Sequence, residues 1–321
     1  MVNNIWQPYP KLRRSLEETQ AFVLSKVDVR NKEIADLIAD LVKAGGKMTR
    51  PAFFYLFSEF GDSKVDLVEG SATLEILHLA TLIHDDVIDN SPLRRGAQTI
   101  HTKYGMRNAI YAGDLLFTIY FELLTQIAPN RTDILMNSRS MHRILLGELD
   151  QMLINDNPDA TVKMYLREIS GKTAELFSLS AIFGAVMGKA DESIIKKAKY
   201  IGHDIGMAFQ IIDDLLDYST SKKTGKPVLE DLSNKIYSLP IILALKNDSG
   251  ELRELLEEEV LNNEQKKRAV ELIEQNNGLV ETKKIADHYT IRALDRIKTL
   301  PDNEAKKILI NITKQMLKRG K

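Results

Sequence analysis

Apolar residues recur every three or four positions along most of this chain, and no run alternates apolar with polar residues. That pattern predicts helices and no sheet. A first helix is expected from near Lys11. Long helical runs follow at about 107–128, 132–153, 161–187 and 192–218. LPIILAL, LRELLEEEV and the segments between 263 and 318 read as shorter packing helices. Prolines supply the punctuation. Pro8 and Pro10 precede the first helix, Pro51 fits the first turn of the helix after GGKMTR, and Pro92 closes a helix before the loop SPLRRG. TSKKTGKPVLED is polar, carries Gly225 and Pro227, and reads as a loop. No repeat and no low-complexity tract divides the chain, so the expectation is one all-α domain over residues 1–321.

Two acidic clusters interrupt the apolar pattern. DDVID occupies 85–89 within ATLIHDDVID, and DDLLD occupies 213–217 within AFQIIDDLLDY. Both read D-D-x-x-D. Residues four apart share a helix face, so Asp85 stacks with Asp89 and Asp213 with Asp217, while Asp86 and Asp214 flank those faces. Carboxylates this dense repel one another, and burying them unpaired is costly. Mg²⁺ suits such oxygen ligands and shares its shell readily with phosphate oxygens. Two such clusters on facing helices would hold a Mg²⁺–diphosphate between them.

Basic and polar groups lie near these clusters in sequence. GGKMTRP sets Lys47 and Arg50 around a helix start, where backbone N–H groups attract anions. It is not a Walker loop, and a capped basic loop is the plainer reading. Arg94 and Arg95 follow the first cluster; they could fork onto diphosphate oxygens or neutralise the aspartates. Glu75-x-x-His78 is the single E-x-x-H of the chain, whereas a di-iron bundle needs two. His84 precedes Asp85 and would orient it. His101, His142, His203 and His288 show no ligand spacing and read as structural. GKTAELF carries Lys172 and Thr173, and Gln210 lies one turn before Asp214. Such groups could bind phosphate oxygens or offer dipoles to a developing carbocation, although alone they would be ordinary helix residues. Lys226 and Lys235 follow the second cluster on a segment that could close as a lid.

Composition narrows the partners. Lys plus Arg number 44 against 45 Asp plus Glu, a net charge of −1, so no global field favours nucleic acid or acidic lipid. There is no cysteine, which excludes disulfides, zinc–thiolate sites and cysteine nucleophiles. The N-terminal residues show no basic start followed by an apolar core. The longest uncharged run, 176–188, falls short of the roughly 20 residues of a membrane span. The expectation is a cytoplasmic protein with no membrane span.

Taken together, GGKMTRP, EILHLATLIHDDVIDNSPLRRG, YAGDLLF, GKTAELF, FQIIDDLLDY and TGKPVLEDLSNKIYSLP resemble the all-trans polyprenyl diphosphate synthases, in family order across 45–240. The resemblance implies a large antiparallel helix bundle around a deep central cavity, paired as a homodimer. It implies head-to-tail condensation of isopentenyl diphosphate with an allylic diphosphate. Asp85, Asp86, Asp89, Asp213, Asp214 and Asp217 would then ligate a cluster of about three Mg²⁺ ions. Arg94, Lys172, Lys226 and Lys235 would contact the allylic diphosphate, and Lys47, Arg50, His78 and Arg95 the isopentenyl diphosphate. Thr173 and Gln210 would line the carbocation. Some assemblies of the family add a small non-catalytic subunit. A terpene cyclase, the rival with similar architecture, would need neither GGKMTRP nor a second D-D-x-x-D.

The chain departs from the family pattern at Tyr237, where relatives usually carry threonine. Its first cluster also lacks the two-residue insertion of some short-chain members, which argues against a farnesyl product. Ala80 and Thr81, just before the first cluster, are small where farnesyl-type relatives place aromatic residues. The expected product is therefore longer than geranylgeranyl, in the hexaprenyl to octaprenyl range. Geranylgeranyl or farnesyl is the alternative if deeper residues such as Phe117 and Phe121 block the cavity.

Overall fold

Helices that are apolar all round are buried throughout, and helices with an apolar stripe bury that stripe. In the computed structural model, residues 2–317 are described apart from 28, 64, 95, 96, 225–231, 233, 234 and 259, with backbone alone at 219–224. A 3₁₀ turn at Asn4–Trp6 precedes α1 (Pro10–Lys26), α2 (Lys32–Lys43), α3 (Thr49–Ser58) and α4 (Val68–Ile88). A two-stranded ribbon follows, β1 (Leu93–Arg94) and β2 (Ala97–Gln98), then α5 (Ile100–Tyr104), α6 (Met106–Ile127) and α7 (Arg131–Met152). Next come α8 (Val162–Ile169), a π turn (Ser170–Ala174), α9 (Glu175–Met187) and α10 (Glu192–Thr224). The last helices are α11 (Leu239–Leu245), α12 (Glu251–Glu257), α13 (Asn263–Gln275), α14 (Gly278–Lys298) and α15 (Glu304–Leu317).

The chain forms two compact units. One comprises Met1–Asn137 and Ser180–Ile195, the other Ser138–Leu179 and Lys196–Lys321. In the first, α4 is the core helix. Every residue from Gly70 to Leu77 is buried, as are Leu79, Ala80 and Ile83. Each fully buried Leu or Ile there contributes about 1.5–3 kcal/mol. A buried polar node ties α1, α3 and α4 together: Thr19 Oγ1 lies 2.9 Å from Tyr55 Oη and 3.1 Å from Ser71 Oγ. In the second unit, Asp204 of α10 is fully buried and accepts from Arg292 Nε at 3.0 Å and from Arg296 Nη1, both on α14. Among the described residues, no helix is long and apolar enough to cross a membrane.

Four sequence expectations change. The run 161–187 is not one helix, because five residues around Gly171 open into the π turn. Helix α4 ends at Ile88, ahead of Pro92, with Asn90 in the left-handed region at φ 49°. The loop expected from Thr220 begins as helix, since α10 runs to Thr224; Gly225 and Pro227 lie outside the described residues. The ribbon pairs Leu93 with Gln98 and Arg94 with Ala97. Each strand is too short for alternation to reveal it.

Candidate active site

The first unit carries the first aspartate cluster on α4. His78, Thr81, Asp85 and Asp89 fall at i, i+3, i+7 and i+11, which puts them on one helix face. That face is partly open to solvent, whereas the neighbouring Leu77, Leu79, Ala80 and Ile83 are buried. The stripe therefore runs from an imidazole, past a small hydroxyl, to two carboxylates. Asp89 caps the helix and donates its N–H to Asp85 O at 2.8 Å, which fixes the turn between them.

Asp86 points the other way. It is 5% exposed and accepts from Arg94 Nε at 2.5 Å. Burial pushes its carboxyl up, and the Arg94 guanidinium opposes that rise. The β ribbon thus presents Arg94 to the middle aspartate. His84 does not turn to its neighbour Asp85. Its ring packs where a Cβ on Gly113 of α6 would lie, stacks on Phe117 at 5.3 Å, and sets Nε2 3.3 Å from Asp114 Oδ1. His84 therefore seats α4 against α6.

The basic loop is pinned from the N-terminus. Trp6, fully buried, donates from Nε1 to Lys47 O at 2.5 Å. Gly45 at φ 78° and Met48 at φ 48° turn the chain into α3. Arg50 then reaches α4, with Nη1 3.2 Å from His78 Nε2. Two residues assigned to one diphosphate site by resemblance are thus brought together.

The second unit carries the second cluster on α10, where residues of α8, α7 and the π turn gather around it. Asp213 is exposed and Asp217 half-buried, one turn apart. Asp214 is 6% exposed, with both carboxylate oxygens taken: Tyr165 Oη donates to Oδ2 at 2.5 Å and Gln210 Nε2 to Oδ1 at 3.0 Å. Burial, helped by the Asp213 charge, pushes Asp214 up to about 6, against those two hydrogen bonds and one from the Leu239 backbone. Thr173 donates to Gln210 Oε1 at 2.8 Å. Lys172 reaches Gln151 Oε1 at 2.6 Å and Glu148 Oε2 at 2.8 Å, both on α7. Glu168, buried beside them, is pushed up to about 8 by burial and by the Asp214 charge, with Lys172 opposing. A cavity of about 80 Å³ opens next to Asp214, lined in part by Gln151, Tyr165, Glu168 and Ser238.

Lys235 Nζ pairs with Asp156 Oδ1 at 3.1 Å, and Lys235 O accepts from Asp156 N at 2.8 Å. Arg95 and Lys226 lie outside the described residues. Phe121 is exposed on α6, and Phe117 lies against His84. Sequence reasoning missed Trp6, Tyr165, Glu148 and Gln151. Only Trp6 offered a signal, as the one tryptophan of the chain, in IWQPYP.

The donors fit a hard cation that is shared with a ligand. Among the described residues, no three His, Cys, Asp or Glu side chains converge on one point. Mg²⁺ commonly takes one or two carboxylates and completes its shell with substrate phosphates and water. Asp85, Asp89, Asp213 and Asp217, each at least partly exposed, can supply those carboxylates.

Residues 31–275 match the sequence profile described as Polyprenyl synthetase. The chain belongs to the polyprenyl synthetase family. As a polyprenyl synthetase it is a prenyltransferase, and the cyclase and di-iron readings fall away. The chain is 34% identical to heptaprenyl diphosphate synthase component 2 of Bacillus subtilis (strain 168), over 93% of its own length and 89% of that protein's. The fold matches geranylgeranyl pyrophosphate synthase from Lactobacillus brevis ATCC 367 with TM-score 0.94 and 44% identity, covering 98% of this chain and 99% of that one. It also matches polyprenyl synthase from Caulobacter crescentus CB15 complexed with calcium and isoprenyl diphosphate. There the TM-score is 0.89 and the identity 27%, over 96% of both chains.

Proposed function

We propose that this polyprenyl synthetase is a Mg²⁺-dependent all-trans polyprenyl diphosphate synthase whose product is longer than geranylgeranyl diphosphate. It condenses isopentenyl diphosphate head-to-tail onto an allylic diphosphate within a single catalytic domain. The two aspartate clusters hold the metal, with Asp85, Asp89, Asp213 and Asp217 presenting oxygens and Asp86 and Asp214 anchored to protein donors. When bound, Mg²⁺ supplies positive charge to the departing diphosphate. Arg94, Lys172, Lys226 and Lys235 grip the allylic diphosphate. Lys47, Arg50, His78 and Arg95 hold isopentenyl diphosphate so that its double bond meets the allylic carbon at near-attack distance. Thr173 and Gln210 orient dipoles toward the positive charge that develops there. The released diphosphate takes the proton.

The observation that carries the long-chain reading is Thr81. It is small and lies on the Asp85 face of α4, on the turn just before the first cluster. The name of the Bacillus relative agrees with that reading. A second reading, geranylgeranyl diphosphate, draws on the 44% identity to the Lactobacillus enzyme. Chromatography of dephosphorylated products, made by the purified chain from labelled isopentenyl diphosphate and farnesyl diphosphate, tests both. Products of 30 carbons or more support the first reading, and a 20-carbon product supports the second. No incorporation by the chain alone, restored by a small helical subunit, would identify it as one component of a heteromer.

We further place the chain in the cytoplasm, in keeping with its lack of cysteine, and assign it a homodimer. Met106, Ile110 and Phe121 expose one apolar face of α6. Leu135, Leu146, Leu149 and Leu153 form an exposed apolar row on α7 and the residue that follows it. Exposed rows of this kind mark contact surfaces in soluble proteins.

A further inference from the structure

The hydrogen bonds around Asp214 form one directed chain. Thr173 Oγ1 donates to Gln210 Oε1, Gln210 Nε2 donates to Asp214 Oδ1, and Tyr165 Oη donates to Asp214 Oδ2. The four members come from three structural pieces: Thr173 from the π turn, Gln210 and Asp214 from α10, and Tyr165 from α8. Tyr165 is 3% exposed and borders the cavity next to Asp214. Nothing in the assigned chemistry uses it.

The direction of the chain matters. A glutamine amide can sit either way round. With its NH₂ committed to the Asp214 carboxylate, its oxygen must face Thr173. The Thr173 proton is then spent on Gln210, and the hydroxyl lone pairs remain for whatever lies on its other side. Donors in series polarise one another, so the negative charge of Asp214 makes the Thr173 oxygen a better electron-rich dipole. This works only while the carboxylate keeps one rotamer. Without the Tyr165 hydroxyl, the carboxylate keeps Gln210 and a backbone hydrogen bond from Leu239, but Oδ2 loses its side-chain donor and the carboxylate is freer to turn.

We infer that Tyr165 is a positioning residue that locks the Asp214 carboxylate and thereby sets both the second aspartate cluster and the Thr173–Gln210 dipole. Asp213 and Asp217 flank Asp214 on α10, so a shift of the helix at Asp214 carries their oxygens with it, while a swing of the Asp214 side chain alone disturbs the Gln210–Thr173 dipole. The inference rests on the reading of Asp213 and Asp217 as metal ligands.

Tyr165→Phe tests it, since only the hydroxyl is lost. Groups that orient metal ligands typically cost about 10- to 100-fold in metal affinity or activity when removed. Titration calorimetry of Mg²⁺ into the full chain carrying inorganic diphosphate should show Mg²⁺ affinity falling by about tenfold. kcat should fall by a similar factor, while the KM for isopentenyl diphosphate stays within about twofold. In an Asp214→Asn background the same substitution should change neither quantity further. Mg²⁺ affinity and kcat within twofold of the parent in Tyr165→Phe would overturn the inference. So would equal losses with and without Asp214→Asn, because the hydroxyl would then act on general stability alone. Asp213→Ala separates the two levels. If it binds Mg²⁺ and turns over normally, the metal reading itself fails. If it is inactive while Tyr165→Phe is normal, only the positioning role fails.

Discussion

Gly147 of α7 and Gly171 of the π turn touch backbone to backbone. A Cβ on Gly171 would lie 2.7 Å from Arg143 O and 2.9 Å from Gly147 Cα, and a Cβ on Gly147 would meet Lys172 N and, at 2.7 Å, Gly171 C. Neither obstacle is a flexible side chain that could step aside. The crossing sets Glu148 and Gln151 within reach of the Lys172 ammonium, and it holds the wide turn that also carries Thr173.

Gly147→Ala or Gly171→Ala should therefore force α7 and the π turn apart. Overpacking of this kind costs about 1–3 kcal/mol, and at a backbone contact the upper part of that range is expected. Thermal unfolding should show a lower Tm. The shift also displaces Lys172, so kcat should fall more than the stability loss explains at a temperature where the variant is fully folded. A variant with normal kcat would show that Lys172 does not depend on this crossing.

Arg50 and His78 should share one substrate. They come from different helices and meet at 3.2 Å, on the face of α4 that also carries Asp85. A charged hydrogen bond is worth about 1.5–3 kcal/mol, or roughly 10- to 150-fold in affinity. Arg50→Ala should raise the KM for isopentenyl diphosphate by about that factor and the KM for the allylic substrate by much less. Substrate titrations showing the reverse would exchange the two diphosphate sites.

Asp204 gives a prediction in pH. Burial alone would raise its carboxyl. Hydrogen bonds from His203 and Arg292, and the charges of Arg292 and Arg296, outweigh burial and hold it below the ordinary value of 3.8. A group depressed on folding adds stability above its unfolded pKa, and that stability is lost as pH falls through the folded pKa. The parent protein should therefore lose Tm through this group as pH falls below about 4. Asp204→Asn should be less stable at neutral pH by about 3 kcal/mol, the low end for a broken buried pair because both arginines reach water. Its Tm should vary less on the acid side. Equal acid slopes in the two proteins would remove Asp204 from the pH dependence.

The sequence alone exposed what repeats along one helix. The i, i+4 aspartate pairs are legible because helix geometry puts them together whatever surrounds the helix. The runs at 107–128 and 132–153 anticipate α6 and α7 to within a residue. Features made by distant residues were not legible. Gly171 reads as a tolerable glycine in a helical run until Gly147 is seen against it. Tyr165 reads as one more residue of an apolar face, and its partner Asp214 lies 49 positions away. The six aspartates look alike as letters. Burial separates Asp86 and Asp214, each tied to protein donors, from the four more exposed ones. Lys235 follows the second cluster in sequence, yet it is seen pairing with Asp156.

The same reasoning sharpens the expectation for product length. A helix advances about 5.4 Å per turn, close to one isoprene unit of tail, so successive turns of a tail-lining face would gate successive products. Thr81 lies on the Asp85 face and is partly open, with its hydroxyl turned back to His78 O at 2.9 Å. Ala80 is fully buried. The two positions should therefore respond differently to phenylalanine. Ala80→Phe drives a ring into a packed core and should destabilise by about 1–3 kcal/mol. Thr81→Phe puts a ring on a partly open face one turn from the carboxylates and should leave Tm within a few degrees. If the tail runs along this face, Thr81→Phe keeps the first condensation and shortens the main product toward farnesyl or geranylgeranyl diphosphate. Chromatography of the dephosphorylated products reads the change directly. A folded Thr81→Phe enzyme with the parent's product distribution would mean that the tail leaves the metal site by another route, and the long-chain reading would lose the residue that carries it.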